Sequence, residues 1–320
     1  MRKLIACAAL FLAAPLALAQ AAADFPSKPI RIIVPFNAGS GSDETSRVYG
    51  EIVSKMLGQP VVVENRPGGS GLIAIQTVKA AEADGHTILL ASNSPMAVNP
   101  VVMKNLQYDP FKDFRPVHGL SVGPAALVVK ADSPYKTVND LIEAAKKEKR
   151  SLTVGNYSEG YQLIGAWLGT AGEVEVSHVR YKGGAQMVTD VIGGQIDVGI
   201  NDFNGVVPLI KSGKLRALAI TAGKRDETLG DIPTMIESGF PEFETYVWAS
   251  LFVRSETPDA IVKTLADAFH AALLSDEGRA YQASRPGKPM MESMDEMGEF
   301  HRREYERFKR VAEAAGIKPQ

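Results

Sequence analysis

The sequence predicts an α/β fold with two lobes, mixed and mostly parallel sheets, and a ligand cleft between the lobes. Three observations support this prediction. Apolar, β-rich runs alternate with longer helical patterns, which is typical of strands connected by helices. Two of the strand runs are each followed by an acid or serine, a proline and a new helix, as expected where the chain crosses from one lobe to the other. The length of 320 residues is sufficient for two domains of ordinary size.

The elements follow one another in regular order. The strand runs are at 30–36, 60–65, 86–92, 125–131, 151–157, 174–181, 198–200, 215–221 and 246–254. The helical patterns are at 43–57, 70–83, 137–149, 161–171, 184–194, 204–212, 232–238, 258–274 and 295–315. This alternation indicates helices on both faces of the sheets.

Two segments define the predicted lobes. AALVVKADSP, which begins at residue 125, and ETYVWASLFVRSETP, which begins at residue 244, are each followed by a new helix. We expect the first lobe to comprise residues 24–124 plus 246–320, and the second lobe to comprise residues 125–245. A pocket between two lobes is a common site for a small ligand.

The first 23 residues have the features of a secretory signal peptide. Arg2 and Lys3 precede a short apolar stretch, and small residues follow it with possible cleavage before Gln20 or Asp24. Cys7 is the only cysteine of the chain. After cleavage of residues 1–23 the protein would have no disulfide, thiol nucleophile or cysteine metal site. We therefore expect a periplasmic protein.

The composition excludes some classes of partner. Hydrophobic residues make up 45% and charged residues 22% of the chain, as in soluble globular proteins. Removal of Arg2 and Lys3 leaves 35 − 2 = 33 basic residues against 37 acidic ones. This balance indicates neither a nucleic-acid partner nor a membrane-surface role.

The motifs of catalysis are incomplete. GLSVG at 119–123 matches the nucleophile elbow of hydrolases, but the required helix does not follow Ser121, because Pro124 and a strand do. An exported α/β hydrolase that uses Ser121 is therefore an alternative function and not the preferred one.

Nucleotide and metal sites are not indicated either. GGSGLIA at 68–74 lacks the immediate helix and the spaced acid of a dinucleotide fingerprint. The five histidines have no metal-ligand spacing among themselves. We expect no cofactor, no metal and no catalytic residue.

Glycine-rich and polar loops remain as the candidate site. They follow the carboxyl ends of predicted strands, where ligands bind in open α/β sheets. Bare N–H groups before a helix favour a carboxylate or a phosphate. Two of the loops belong to each predicted lobe, and they lie at 36–42, 92–94, 155–162 and 181–185.

Seven blocks of the sequence resemble those of one known family, the Bug-type extracytoplasmic solute receptors of tripartite tricarboxylate transporters. In chain order the blocks are FPSKPIRIIVPFNAGSGSDETSR, GQPVVVENRPGGSG, DGHTILL, YDPFKDFRPV, HVRYKGG, SGKLRALAITAGKR and DIPTMIESGFPEFE followed by a tryptophan. The resemblance extends from about residue 25 to the C-terminus.

The resemblance implies a periplasmic binding protein of type II that holds a small organic acid by a carboxylate and serves integral membrane transporter subunits. We expect a monomer. The family's ligand loops fall on Phe36, Asn37, Ala38, Gly39, Ser40, Gly41, Ser92, Ser94, Ser158, Glu159, Gly160, Tyr161 and Gln162. We also expect Asp202, after the strand at 198–200, to line the floor of the site, and Tyr157 to be an aromatic candidate for stacking on the ligand. Asp43 matches the family's helix-start acid. A sensory receptor on the same fold is a further alternative.

The chain departs from the family's pattern mainly in the second lobe. Glu159 stands where the family has serine, Gln162 where it has histidine, and Arg180 where it has proline. If Glu159 faces the cleft, it would favour a cationic group on the ligand, since two carboxylates about 4 Å apart repel by roughly 1–4 kcal/mol. The alternative is that Glu159 points to solvent or pairs with Arg180 or Lys182.

Overall fold

A computed structural model describes residues 25–284 and 287–319. The predicted signal peptide at 1–23 lies outside these residues. The strands are β1 (Ile30–Val34), β2 (Val61–Asn65), β3 (Thr87–Ser92), β4 (Phe114–Lys130), β5 (Leu152–Asn156), β6 (Val176–Arg180), β7 (Val198–Asp202), β8 (Leu215–Ile220), β9 (Tyr246–Arg254) and β10 (Lys288–Pro289).

Helices alternate with these strands. They are α1 (Gly41–Leu57), α2 (Leu72–Lys79), α3 (Asn99–Val102), α4 (Val138–Glu148), α5 (Glu159–Gly172), α6 (Gly184–Ile192), α7 (Phe203–Lys211), α8 (Asp259–Leu274), α9 (Asp276–Ala283) and α10 (Met294–Ala314). A π-helical turn at Ser94–Val98 precedes α3, and 3₁₀ turns occur at Gly69–Gly71 and Glu227–Leu229.

The sheet has the strand order β2-β1-β3-β9-β4-β7-β5-β6, and β8 and β10 also pair with β4. Pairing is parallel between β1 and its neighbours β2 and β3, and between β5 and its neighbours β6 and β7. The strands that pair with β4 and β9 are antiparallel. The parallel parts place the loops after β1, β3 and β5 at strand carboxyl ends.

The long strand β4 connects two lobes. It pairs with β9 from Phe114 to Pro124, and with β7 or β8 from Ala125 to Lys130. We call the part built on β1, β2, β3 and β9 the first lobe, and the part built on β5 to β8 the second lobe. Helices cover both faces of each lobe, and buried apolar residues form a core on each face.

The structure differs from the sequence prediction in several elements, since α3, α9 and β10 were not predicted. The first half of β4 was not predicted, because Pro116 and Gly119 interrupt its pattern; register shifts accommodate both residues. The predicted helix at 232–238 is a turn. Thr234 and Glu237 bond each other's N–H groups as at a helix start, but Gly239 adopts a φ of +100° and ends the turn.

Candidate functional site

The cleft between the lobes contains two adjoining cavities. The inner cavity has a volume of about 110 Å³ and the outer cavity a volume of about 650 Å³. Both lobes contribute to each wall. The walls share five residues, which are Phe36, Ser40, Ser94, Tyr157 and Ser158. The cavities are therefore two parts of one cleft, and these side chains lie between them.

The start of α1 forms one wall of the inner cavity. Ser40 precedes the helix, and its Oγ accepts the N–H of Asp43 at 3.3 Å. Within the described part of the chain, the N–H groups of Gly41 and Ser42 have no acceptor, and both residues line the inner cavity. These groups lie at the positive end of the helix dipole, so this wall can bind the oxygens of an anion.

Asp43 holds the loop between β1 and α1 in place. Its carboxylate accepts the N–H of Gly39 and the side-chain amide of Asn65, each at 2.9 Å. Burial acts to raise the pKa of Asp43, but hydrogen bonds from Arg47, Gly39 and Asn65 outweigh burial and leave this pKa below its ordinary value. The carboxylate is therefore ionised at neutral pH and keeps its acceptor role.

The second lobe presents two tyrosines beside the start of α5. The Tyr157 hydroxyl donates to Oδ1 of Asn201 at 2.7 Å, and the rings of Tyr157 and Tyr161 have centroids 4.7 Å apart. Ser158 precedes α5, and its Oγ accepts the N–H of Tyr161. Burial raises the pKa of both tyrosines, so their hydroxyls stay neutral and can serve a ligand as donors or acceptors.

Ser94, which follows β3, forms hydrogen bonds between the two lobes. The Ser94 Oγ donates to the Ser158 Oγ at 3.0 Å and accepts the N–H of Gly160 at 3.1 Å. Asp202, at the end of β7, lines the inner cavity. A Cβ atom built on Gly41 would lie 3.6 Å from Oδ2 of Asp202. The start of α1 and the end of β7 therefore face each other across the cleft.

Twelve of the fifteen sequence-predicted residues line the cavities. They are Phe36, Asn37, Ala38, Gly39, Ser40, Gly41, Ser92, Ser94, Tyr157, Ser158, Tyr161 and Asp202. Glu159, Gly160 and Gln162 are not part of either wall. Contact of any of these residues with a ligand stays a prediction.

Other wall residues were not predicted as site residues. Trp248 is fully buried and also borders the inner cavity. Further wall residues of the inner cavity lie far apart in the sequence, and include Ser121, Asn204, Tyr281 and Lys288. Two of these residues do not lie in loops after strands, since Ser121 lies within a strand and Tyr281 within a helix.

Glu159 is engaged within the protein. Its two carboxylate oxygens accept hydrogen bonds from Nη2 of Arg180 at 2.5 and 2.6 Å. The Nε of Arg180 donates to Oε1 of Gln162 at 2.9 Å, and the Ser70 hydroxyl donates to Oε1 of Glu159 at 2.9 Å. The structure thus shows that Glu159 pairs with Arg180, as one of the two interpretations predicted. Because both oxygens of the carboxylate are engaged, the structure does not support the hypothesis that Glu159 attracts a cationic group of the ligand.

Ser121 does not have the surroundings of a nucleophile elbow. It lies inside β4, opposite Ala249 of β9 and Pro289 of β10. The neighbouring His118 is fully buried and is bonded to the carbonyl of Gly119 and to the ring of His270. The strand–turn–helix that exposes a catalytic serine is therefore not formed at Ser121.

A mixed sheet folded into two lobes around a polar cleft defines a periplasmic binding protein of type II. The chain belongs to the tripartite tricarboxylate transporter family receptors, since the model of that family matches residues 45–317. This result confirms the Bug-type resemblance. Members of the family are solute-binding receptors and not enzymes.

Named relatives are similar over nearly the whole chain. The protein BugT of Bordetella pertussis is 31% identical over 99% of both chains. The structure of Rpa4515 of Rhodopseudomonas palustris with adipate superposes with a TM-score of 0.88 at 33% identity, covering 93% of this chain and 100% of that one. MatC from the same organism with bound malate has a TM-score of 0.83 at 26% identity, covering 90% and 99%.

The helices of the described residues are short or carry many charged and polar side chains. Within residues 25–284 and 287–319, none is both long and apolar enough to cross a membrane.

Proposed function

We propose that the protein captures a small organic carboxylate in the interlobe cleft and delivers it to the membrane subunits of a tripartite tricarboxylate-type transporter. The observation that carries the proposal is the start of α1, where Gly41 and Ser42 line the inner cavity and their N–H groups have no acceptor among the residues that the structure describes. Two relatives with similar structures hold adipate and malate, which are both carboxylates.

The proposal includes export and a monomeric state. Residues 1–23 direct the chain to the periplasm and are removed there.

The proposal also includes the boundaries of the lobes. The lobes divide between Pro124 and Ala125 of β4 and directly before Tyr246 of β9, since β4 changes its pairing partner at the first point. Ligand that touches both lobes binds the closed form better than the open form, and so increases the closed fraction.

Binding is tested by calorimetry and thermal shift on the purified protein. Adipate and malate are the first probes, and adipamide is the matched neutral control for adipate. We expect a carboxylate to raise the melting temperature with the logarithm of its concentration, and the amide to have no effect. A panel of mono- and dicarboxylates that leaves the melting temperature unchanged would overturn the proposal. Native mass spectrometry of the protein as purified reports both retained ligand and oligomeric state.

Delivery is tested separately in proteoliposomes that contain the membrane subunits of a tripartite tricarboxylate transporter. Uptake of a labelled probe should require the receptor. Uptake that is unchanged without the receptor, despite tight binding, would overturn the transport part and would favour a sensory role.

A further inference from the structure

The three second-lobe departures from the family's pattern form one network. Arg180 donates from Nη2 to both oxygens of Glu159 and from Nε to Gln162. Glu159 and Gln162 lie on the first turn of α5, and Arg180 ends β6. Only 8% of the surface of Glu159 is exposed. The arginine therefore fixes the direction of a nearly buried carboxylate, and the carboxylate does not border either cavity.

The fixed carboxylate is bound by the other lobe. The Ser70 hydroxyl donates to Oε1 of Glu159 at 2.9 Å. Ser70 has a left-handed backbone, with φ 55° and ψ 35°, between Gly69 and Gly71. The side-chain amide of Asn99 donates to the Ser70 carbonyl at 3.0 Å. The first lobe thus holds Ser70 in an uncommon conformation that directs its hydroxyl to the second lobe.

The lobes approach closely beside this contact. Ser94 of the first lobe bonds both Ser158 and the N–H of Gly160. A Cβ atom at Gly160 would lie 2.8 Å from the Ser94 Oγ and 3.0 Å from Nδ2 of Asn93. A larger residue at position 160 would therefore displace the Ser94 side chain. Contacts between the lobes therefore form at three successive residues, 158, 159 and 160.

We propose that Glu159 is a positioning residue that sets ligand affinity through closure of the lobes and not through contact with the ligand. The Arg180 and Gln162 contacts lie within the second lobe and persist in the open form. The bond from Ser70 exists only when the lobes are together. An interaction present in one state only shifts the equilibrium toward that state, and the apparent affinity of every ligand rises with the fraction of protein that is closed.

The first test needs no ligand. Small-angle X-ray scattering of the ligand-free protein is compared for the wild type, Ser70→Ala and Glu159→Gln. We expect both variants to have a larger radius of gyration, because the closed fraction falls. Glu64→Gln is the matched control, since Glu64 also accepts two hydrogen bonds from an arginine, Arg31, but within the first lobe. Radii of gyration of Ser70→Ala and Glu159→Gln equal to that of the wild type would overturn the proposal.

The second test measures affinity, and it rests on the proposed carboxylate binding. Calorimetry with adipate and malate should show a loss of roughly tenfold in Ser70→Ala and Glu159→Gln, because hydrogen bonds to charged groups are strong. The factor should be the same for each probe that binds. A loss confined to one probe indicates direct contact and would overturn the proposal.

The two tests also separate this inference from the proposed function. An increase in the radius of gyration without binding of any carboxylate supports the network and contradicts the proposed function. If Glu159→Gln does not fold, Ser70→Ala decides the outcome, because it removes only a hydroxyl from a loop of the opposite lobe. Circular dichroism establishes that each variant is folded before it is compared.

Discussion

The hydroxyl of Ser94 donates a 3.0 Å hydrogen bond to the hydroxyl of Ser158, and the two residues belong to opposite lobes. The Ser94 oxygen also accepts the N–H of Gly160, so a residue of the first lobe caps the N-terminus of α5. Ser158 bonds the same helix from its own N-cap position. This pair of serines therefore connects the two lobes and also caps the N-terminus of α5.

Removal of the Ser94 hydroxyl is expected to destabilise the protein. In Ser94→Ala the buried N–H of Gly160 loses its acceptor, and a buried unsatisfied donor costs about 1–3 kcal/mol. Urea unfolding at pH 7 measures this change in the free energy of unfolding. Ser54→Ala, on α1 of the same lobe, is the control and should stay within about 0.5 kcal/mol of the wild type. Equal midpoints for both variants would contradict this role of Ser94.

Removal of one N–H group at the start of α1 is expected to weaken carboxylate binding. Proline is favourable at the first helical position and has no N–H, and the extended backbone of Ser40, with φ −73° and ψ 158°, accepts a following proline. Gly41→Pro should therefore keep the helix and lose about tenfold or more in affinity for the carboxylate that binds. Gly41→Ala retains the N–H and is the control. Equal dissociation constants for the two variants would exclude this N–H as a ligand contact.

Asp43→Asn is expected to loosen the first-lobe loop. An amide nitrogen cannot accept a hydrogen bond, so the contacts with Gly39, Asn65 and Arg47 cannot all be kept. We expect a loss of about 1–3 kcal/mol in the free energy of unfolding at pH 7. The pKa of Asp43 lies below its ordinary value, so its contribution is present above the unfolded pKa and is lost as the pH falls.

The difference between Asp43→Asn and the wild type should therefore shrink in acid. Chemical unfolding at pH 7 and pH 3 provides the comparison. Asp267→Asn is the control, since Asp267 pairs with Lys263 on the exposed face of α8; exposed pairs contribute little. A difference for Asp43→Asn that is the same at both pH values would contradict the stated role of its charge.

Much of the fold follows from local sequence patterns. The strands of the parallel parts are apolar runs, and they were predicted to within about two residues. The first half of β4 could not be predicted, because its extended form depends on pairing with β9, a strand that is distant in sequence. The helix expected at 232–238 has a valid start, but a glycine with positive φ overrides it.

The candidate site, like the fold, could be predicted from the sequence only in part. Loops that follow strands were identified from glycine and serine content, and twelve of the fifteen residues line the cleft. The sequence named Arg180 as one candidate partner of Glu159, but it could not assign the contact from Ser70, which is 89 positions away. Nor could it place Tyr281 or Lys288 in the wall, since no local pattern relates α9 and β10 to the cleft.

The buried histidine of α10 gives a prediction for the pH dependence of stability. His301 is 2% exposed, and Nε2 of its ring contacts the Met96 carbonyl at 2.8 Å. Burial lowers the pKa of His301 from 6.5 to about 4, although the Met96 bond opposes this. A folded pKa below the unfolded one means that the unfolded chain takes up the proton first. The contribution is therefore complete above pH 6.5 and is lost as the pH falls toward 4.

The variant His301→Gln tests this prediction, because its amide can still donate to Met96 but does not titrate. Urea unfolding from pH 7 to pH 4.5 should show a free energy of unfolding that falls less steeply in the variant, with roughly 3 kcal/mol as the upper limit of the difference. The pKa values of His118 and His178 are also lowered by burial, so both proteins should still lose stability in acid. NMR titration of the His301 ring gives a direct reading. A ring that titrates near pH 6.5 in the folded protein would contradict the prediction, since burial of the imidazole disfavours its protonated form by more than the Met96 carbonyl favours it.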